Sequence, residues 1–158
     1  MINIEIALLK DAKELLTIQN ECFKPYLEKY GDFESNPSHM SLHRMEFNIR
    51  YRLGHYYKII DFATEKTIGG IFIFELDDPS VYQIAQFYLK KEYQHQGIGT
   101  LVLNAIFEKH KEVTTWYADT IKEENNNLKF YEKLGFEVID EEVEHLGLTF
   151  VDLVKKVK

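Results

Sequence analysis

The sequence predicts an α+β fold built on a mixed sheet, with about seven strands, a central antiparallel meander and about four helices. Three observations carry this prediction. The runs "HYYKIIDFA", "TIGGIFIFEL" and "SVYQIAQFYLK" are rich in β-branched and aromatic residues, and only "TEK" and "DDP" separate them, which marks an antiparallel meander. An amphipathic segment then leads from the third run to a fourth, "VTTWYADT", so those two strands are parallel and joined by a right-handed helical crossover. The 158 residues, 45% hydrophobic and 28% charged, are enough to bury a sizeable core, and they read as one soluble domain over 1–158.

The elements follow in order. Ile2 to Leu8 reads as a first strand. "KDAKELLTIQNECF" opens a helix, with Asp11 as N-cap and Glu14 three residues later in a capping-box-like pair. Leu15, Ile18, Cys22 and Phe23 recur at helical spacing and predict its buried face. Leu42, Met45, Ile49 and Leu53 repeat that spacing in a second helix ending near Gly54. The connection "KPYLEKYGDFESNPSH", with Pro25, Gly31 and Pro37, reads as the least regular stretch. After the meander, Ile98, Leu101, Val102, Ala105 and Ile106 form the apolar stripe of a third helix. Leu128, Tyr131 and Leu134 mark a fourth, stopped by Gly135. "FEVIDEEV" and "LTFVDLVKKV", joined around Gly147, form a closing hairpin.

Charge and composition exclude several functions. A net charge of −7 disfavours non-specific binding to nucleic acid or to anionic membrane, and favours a cationic small partner. The single cysteine, Cys22, excludes an internal disulfide and reads as a small core residue. Early charges in "MINIEIALLKDAKELL" disagree with a signal peptide, and no apolar run is long enough to span a bilayer. The expected location is cytoplasmic. His39 and His43 stand at i, i+4 but no third ligand is evident, so no metal is expected. "IDEEVEH" reads as a solvated strand and turn.

The chemistry concentrates at "QHQGIG", where a strand gives way to glycines and then to a helix. A helix start presents unpaired backbone N–H groups and a partial positive charge, so it stabilises an anion. Gly97 and Gly99 have no Cβ, which lets a pyrophosphate approach the backbone. Three phosphate-binding patterns compete there. A Walker A loop fails because no lysine follows either glycine. A dinucleotide fingerprint obtains only two of its three glycines, with Val102 at the third. Asp119 does stand where a ribose-binding acid would, but that fold begins with its fingerprint strand, and here a meander comes first.

The third pattern fits. "QHQGIG" matches Q/R-x-x-G-x-G/A, and "NNNLKFYEKLGFEV" supplies F-Y-x-x-x-G-F one strand later. In these two motifs and in its element order the whole chain resembles the GCN5-related N-acetyltransferases (GNAT). The resemblance implies the GNAT fold, with its parallel strand pair splayed at the cofactor site, and acetyl-CoA as cosubstrate with no metal. It implies that backbone amides across Gln94, His95, Gln96, Gly97, Ile98, Gly99 and Thr100 bind the pyrophosphate. Phe87, Tyr88 and Leu89 would pair with the pantetheine arm, and Tyr131 would point its hydroxyl at the thioester sulfur and assist the departing thiolate.

Two departures stand out. Many members carry an acid on the strand before the loop, whereas Gln83-Ile84-Ala85-Gln86-Phe87-Tyr88-Leu89 has no carboxylate, so the general base is unassigned. An asparagine seven residues before the tyrosine often contacts the cofactor arm; Glu124 stands there, and a one-residue shift would give the role to Asn125. The implied activity is N-acetylation of a primary amine, of a small molecule or a peptide, by direct attack in a ternary complex. The alternatives are a catalytically silent acyl-CoA-binding module and, more remotely, a nucleotide-binding oxidoreductase. In this family the first two helices and their connection cover the acceptor. Here that region carries Phe23, Tyr26, Tyr30, Phe33 and Tyr51 with Glu28, Asp32 and Glu34, which suits a cationic amine or a peptide amine. A monomer and a homodimer are both compatible with the sequence.

Overall fold

A computed structural model describes residues 1–31, 36–145 and 147–157. Strands β1 (Ile2–Ile6), β2 (Gly54–Asp61), β3 (Lys66–Glu75), β4 (Val81–Leu89), β5 (Thr115–Ile121), β6 (Glu137–His145) and β7 (Leu148–Lys156) alternate with helices α1 (Ala12–Tyr30), α2 (Leu42–Arg50), α3 (Ile98–Lys109) and α4 (Asn125–Lys133). Backbone hydrogen bonds link the strands in the order β1-β2-β3-β4-β5-β7-β6. The mixed α+β class, the seven strands and the four helices agree with expectation. So does the parallel β4–β5 pair, whose register runs from Val81↔Thr115 to Gln83↔Tyr117.

The contacts group the residues into two compact units. The first comprises Met1–Ile73 with Gln86–Val102, the second Phe74–Ala85 with Leu103–Lys158. In the first, β1 pairs antiparallel with β2 from Ile2↔Asp61 to Ile6↔Tyr57. Leu15, Ile18, Met45, Tyr56, Ile59, Ile68, Ile71 and Tyr88 are buried there. In the second, Trp116 is fully buried and packs against Tyr82 and Phe107, with ring centroids 5.7 and 5.2 Å away. Leu103, Ile106, Leu148 and Leu153 complete that core.

Several boundaries differ from the sequence reading, each for a physical reason. The first strand ends at Ile6, because the chain turns through a short 3-10 helix at Leu9–Asp11. Asp11 does not cap α1. Its Oδ2 accepts from the Leu8 amide at 2.8 Å and its Oδ1 takes the Lys58 ammonium at 3.2 Å, so it serves the turn before the helix. The first helix also continues through Pro25 to Tyr30. An interior proline costs about 3 kcal/mol, but the stripe Leu15, Ile18, Cys22, Tyr26, Leu27, Tyr30 keeps helical spacing across it. Burial of that stripe wins, and left-handed Gly31 (φ 66°) ends the helix, its N–H reaching the Leu27 carbonyl at 2.8 Å.

Two apolar positions lie outside the expected faces. Leu53 follows the end of α2 and is exposed, and Leu101 is 56% exposed on α3, where Leu103 takes the buried place. Gly135 (φ 97°) and Gly147 (φ 86°) end α4 and turn the last hairpin as expected. Every residue of β6 is exposed, and its pairing with β7 is interrupted by register shifts at Val138/Asp140 and Val143/His145. Acidic side chains and bulges are what keep such an edge from pairing further.

Candidate active site

The glycine loop grows out of β4 in the first unit. The Lys90 amide donates to the Ile68 carbonyl at 2.8 Å, so β4 is held to β3 until the strand ends. A 3-10 turn, Lys91–Tyr93, redirects the chain, and α3 begins at Ile98. Between them His95 (φ 60°) and Gly97 (φ 80°) are both left-handed. Left-handed residues alternating with ordinary ones turn successive amides toward one concave side, which is an anion-binding arrangement. The first helical hydrogen bond runs from Leu101 N to Gly97 O at 3.2 Å. The amides of Ile98, Gly99 and Thr100 therefore have no acceptor within their own helix. Among the described residues, and apart from its own chain neighbours, no heavy atom lies within 4 Å of where a Cβ on Gly97 would stand.

Side chains of the loop shape the loop itself. Gln94 Nε2 donates to the Leu89 carbonyl at 2.8 Å, and Gln96 Nε2 to the Glu92 carbonyl at 2.7 Å. The Leu89 carbonyl also accepts from Cys22 Sγ at 3.2 Å. Cys22 is thus half-buried support for the end of β4, and burial, then the Glu21 carboxylate, push its thiol up to about 12. Such a thiol is a poor nucleophile.

Of the three residues expected along the pantetheine arm, Phe87 is half-buried while Tyr88 and Leu89 are buried. Tyr88 points its hydroxyl at that of Tyr56, 2.5 Å away, and Tyr56 in turn donates to Gln19 Oε1 at 3.4 Å. This chain of buried hydroxyls was not foreseen. Its signal was the glycine pair "GG" in the middle of a strand, since a Cβ on Gly69 or Gly70 would collide with Tyr88. The Tyr88 side chain is therefore committed to the core.

In the second unit, Tyr131 lies on α4 with Phe136 and Phe130 edge-on to it at 5.3 and 5.1 Å. Its carbonyl accepts from the Leu134 and Phe136 amides, which close the helix end. Burial first, and the Asp119 carboxylate second, raise its phenol above the ordinary value, so it is protonated at neutral pH. Asp119 pairs across the strands with Asp152. Its own carboxyl is raised, by loss of hydration and by that neighbouring charge, but only modest weight falls on the first cause because the residue is exposed. Asn125 is exposed as the first residue of α4, after Glu124, whose carbonyl accepts from the Asn127 and Leu128 amides.

Phe23, Tyr26 and Tyr30 of α1 and Tyr51 after α2 are half-buried, whereas Phe47 of α2 is exposed. Phe23 meets Tyr88 edge-on at 6.1 Å and Tyr26 at 6.4 Å, while Tyr51 meets Phe72 edge-on at 6.4 Å. The Lys29 ammonium sits 5.2 Å above the Tyr30 ring. Glu28 is exposed; Asp32, Phe33 and Glu34 lie outside the described residues. His39 ends a 3-10 turn and His43 lies in α2, so they do not share one helical face. Among the described residues, no three His, Cys, Asp or Glu side chains are grouped to hold a metal ion.

A family profile described as an acetyltransferase (GNAT) domain matches residues 28–157. The chain belongs to the GNAT family. Solved structures agree in fold. The ribosomal-protein-S18-alanine N-acetyltransferase from Escherichia coli superposes with a TM-score of 0.79 at 13% identity, over 100% of this chain and 95% of that one. A spermidine N-acetyltransferase chimera from Vibrio cholerae and hSSAT gives 0.76 at 15% identity, over 98% and 95%. A GNAT acetyltransferase from Elizabethkingia anophelis with acetyl-CoA bound gives 0.66 at 17% identity, over 99% and 98%. Among curated proteins, none matches the chain. No helix among the described residues of this GNAT protein is long and apolar enough to cross a membrane.

Proposed function

We propose that residues 1–158 act as one acetyltransferase domain that moves an acetyl group from acetyl-CoA to a primary amine. The observation that carries this reading is the preformed loop at 94–100. Left-handed His95 and Gly97, the open space beside Gly97, and the free-ended first amides of α3 form a seat for a pyrophosphate. The acetyl-CoA-bound neighbour supports the choice of donor. Acetyl-CoA supplies the activated thioester; everything else is the work of this chain.

The amine attacks in its neutral form, a C–N bond forms as the C–S bond breaks, the nitrogen loses a proton and the CoA sulfur gains one. Tyr131 is our candidate for assisting the sulfur, on the strength of its place in "FYEKLGF" and its protonated phenol. A thiol titrates near 8.5 and a phenol near 10. Tyr131, raised further, is thus a hydrogen-bond donor to the thiolate, and full proton transfer to sulfur falls to a stronger acid or to solvent. The base for the nitrogen is unassigned among Gln83–Leu89, which favours a solvent route.

The acceptor class we propose is a small cationic amine or a peptide amine. The net charge of −7 and the aromatic side chains of α1 and Tyr51 support it. Neighbours of the same fold act on spermidine and on a protein alanine. The proposed setting is the cytoplasm. A second reading, a module that binds acyl-CoA without turning it over, draws on the missing strand carboxylate. Calorimetry with acetyl-CoA, run beside a thiol-release assay against polyamines and peptides with free N-termini, separates the two. Binding with turnover supports the enzyme, binding alone supports the module, and no binding overturns both.

A further inference from the structure

Tyr93 precedes the glycine loop and none of its motif residues includes it, yet its side chain is firmly engaged. Its hydroxyl donates to Asp61 Oδ2 at 2.9 Å, thirty-two residues away in sequence at the end of β2. The same carboxylate accepts the Ala63 amide on Oδ1 at 3.1 Å, and the Asp61 carbonyl accepts the Glu65 amide at 2.8 Å. Asp61 thus both builds the β2–β3 turn and receives Tyr93. On the loop side, Tyr93 N donates to Lys90 O at 2.9 Å and Gln94 N to Lys91 O at 3.1 Å, which makes the turn a single hydrogen-bonded piece.

Gln94 and His95 follow directly, so the direction in which Tyr93 is held sets where the left-handed part of the loop begins. We propose that Tyr93, latched to Asp61, is a positioning residue for acetyl-CoA, holding the pyrophosphate loop in its binding shape from the neighbouring hairpin turn. This inference rests on the acetyl-CoA reading above. The latch needs an ionised Asp61 and a protonated Tyr93. Their shared hydrogen bond lowers the carboxyl and raises the phenol, so both conditions hold at neutral pH. A loop already in shape spares the ligand the cost of ordering it.

The test uses the 158-residue chain, acetyl-CoA as probe, and Tyr93→Phe, which keeps the ring and removes only the hydroxyl. We expect calorimetric affinity to fall about five-fold, the effect of one hydrogen bond. We also expect amide hydrogen exchange across residues 94–100 to quicken in the free protein. Adding Asp61→Ala to Tyr93→Phe should cost little further affinity, because the two act as one pair. Unchanged affinity, a weaker affinity without faster exchange at 94–100, or a full additional loss in the double variant would each overturn the latch. Failure of the wild-type chain to bind acetyl-CoA overturns the functional reading instead.

Discussion

The hydroxyl of Tyr88 occupies the place where a side chain at Gly70 would begin: a Cβ there would stand 2.5 Å from that oxygen. One residue earlier, a Cβ on Gly69 would stand 2.2 Å from the Tyr88 carbonyl oxygen. The glycine pair in β3 therefore exists to let β4 and its tyrosine approach. We expect Gly70→Ala to cost about 1–3 kcal/mol through overpacking. Gly69→Ala should cost more, because backbone yields less than a side-chain tip. Urea unfolding of both variants tests this, and wild-type stability in either would show the crowding to be unimportant.

The glycine of the loop responds differently. With no atom of the other described residues within 4 Å of its missing Cβ and a φ of 80°, Gly97 is kept by backbone conformation rather than by packing. Gly97→Val should cost roughly 1–2 kcal/mol of folding stability through the left-handed strain. It should also weaken acetyl-CoA binding at least ~10-fold, about 1.4 kcal/mol. Calorimetry on variant that is still folded by circular dichroism decides the second point; unchanged affinity would remove the pyrophosphate from this loop.

Tyr131→Phe separates chemistry from packing. The ring, with its edge contacts to Phe130 and Phe136, is retained, and only the hydroxyl is lost. If the hydroxyl meets the leaving sulfur, kcat should fall while acetyl-CoA affinity barely changes. Assistance by a general acid is worth about 10²–10⁴-fold, and thiolate is a good leaving group, so the low end or less is expected. Wild-type kcat in the variant would reduce Tyr131 to a core residue.

Stability should fall on the alkaline side. Burial raises Tyr56, Tyr88 and Tyr131 above the ordinary phenol value of 10.0, and Cys22 rises from 9.0 to about 12. In each case the folded chain holds a proton that the unfolded chain releases more readily. This contribution is complete below the unfolded value and is lost as pH rises through the folded one. Urea midpoints should therefore drop from about pH 9 through Cys22, and further above pH 10 through the tyrosines. Cys22→Ala should flatten the first part of that fall. An alkaline range with constant midpoints would contradict the burial of these groups.

Much of this protein was legible in one dimension because its signals are local. The meander rests on strand composition and short turns, the loop on glycine spacing, and α4 on the "FYEKLGF" stripe with Gly135 behind it. Residues that act through their own backbone or immediate neighbours leave a mark that spacing can show. The irregular reading of "KPYLEKYGDFESNPSH" fails over its first residues, because burial of a stripe continuing to Tyr30 outweighs the cost of Pro25 within the helix. Asp11 was misread because its carboxylate has Lys58 as a partner, which no local pattern announces.

What the sequence determined by itself was the order and kind of the elements, the glycine junction between β4 and α3, and the family to which both point. What only the tertiary structure decided was which distant side chains meet: Tyr56 with Tyr88, Cys22 and Gln94 on one carbonyl, Tyr93 on Asp61. The physical reason is range. Propensity, capping and turn chemistry act over a few residues, whereas a buried hydroxyl or a carbonyl takes whichever donor or acceptor the packed chain brings to it, and packing is settled by the whole core at once.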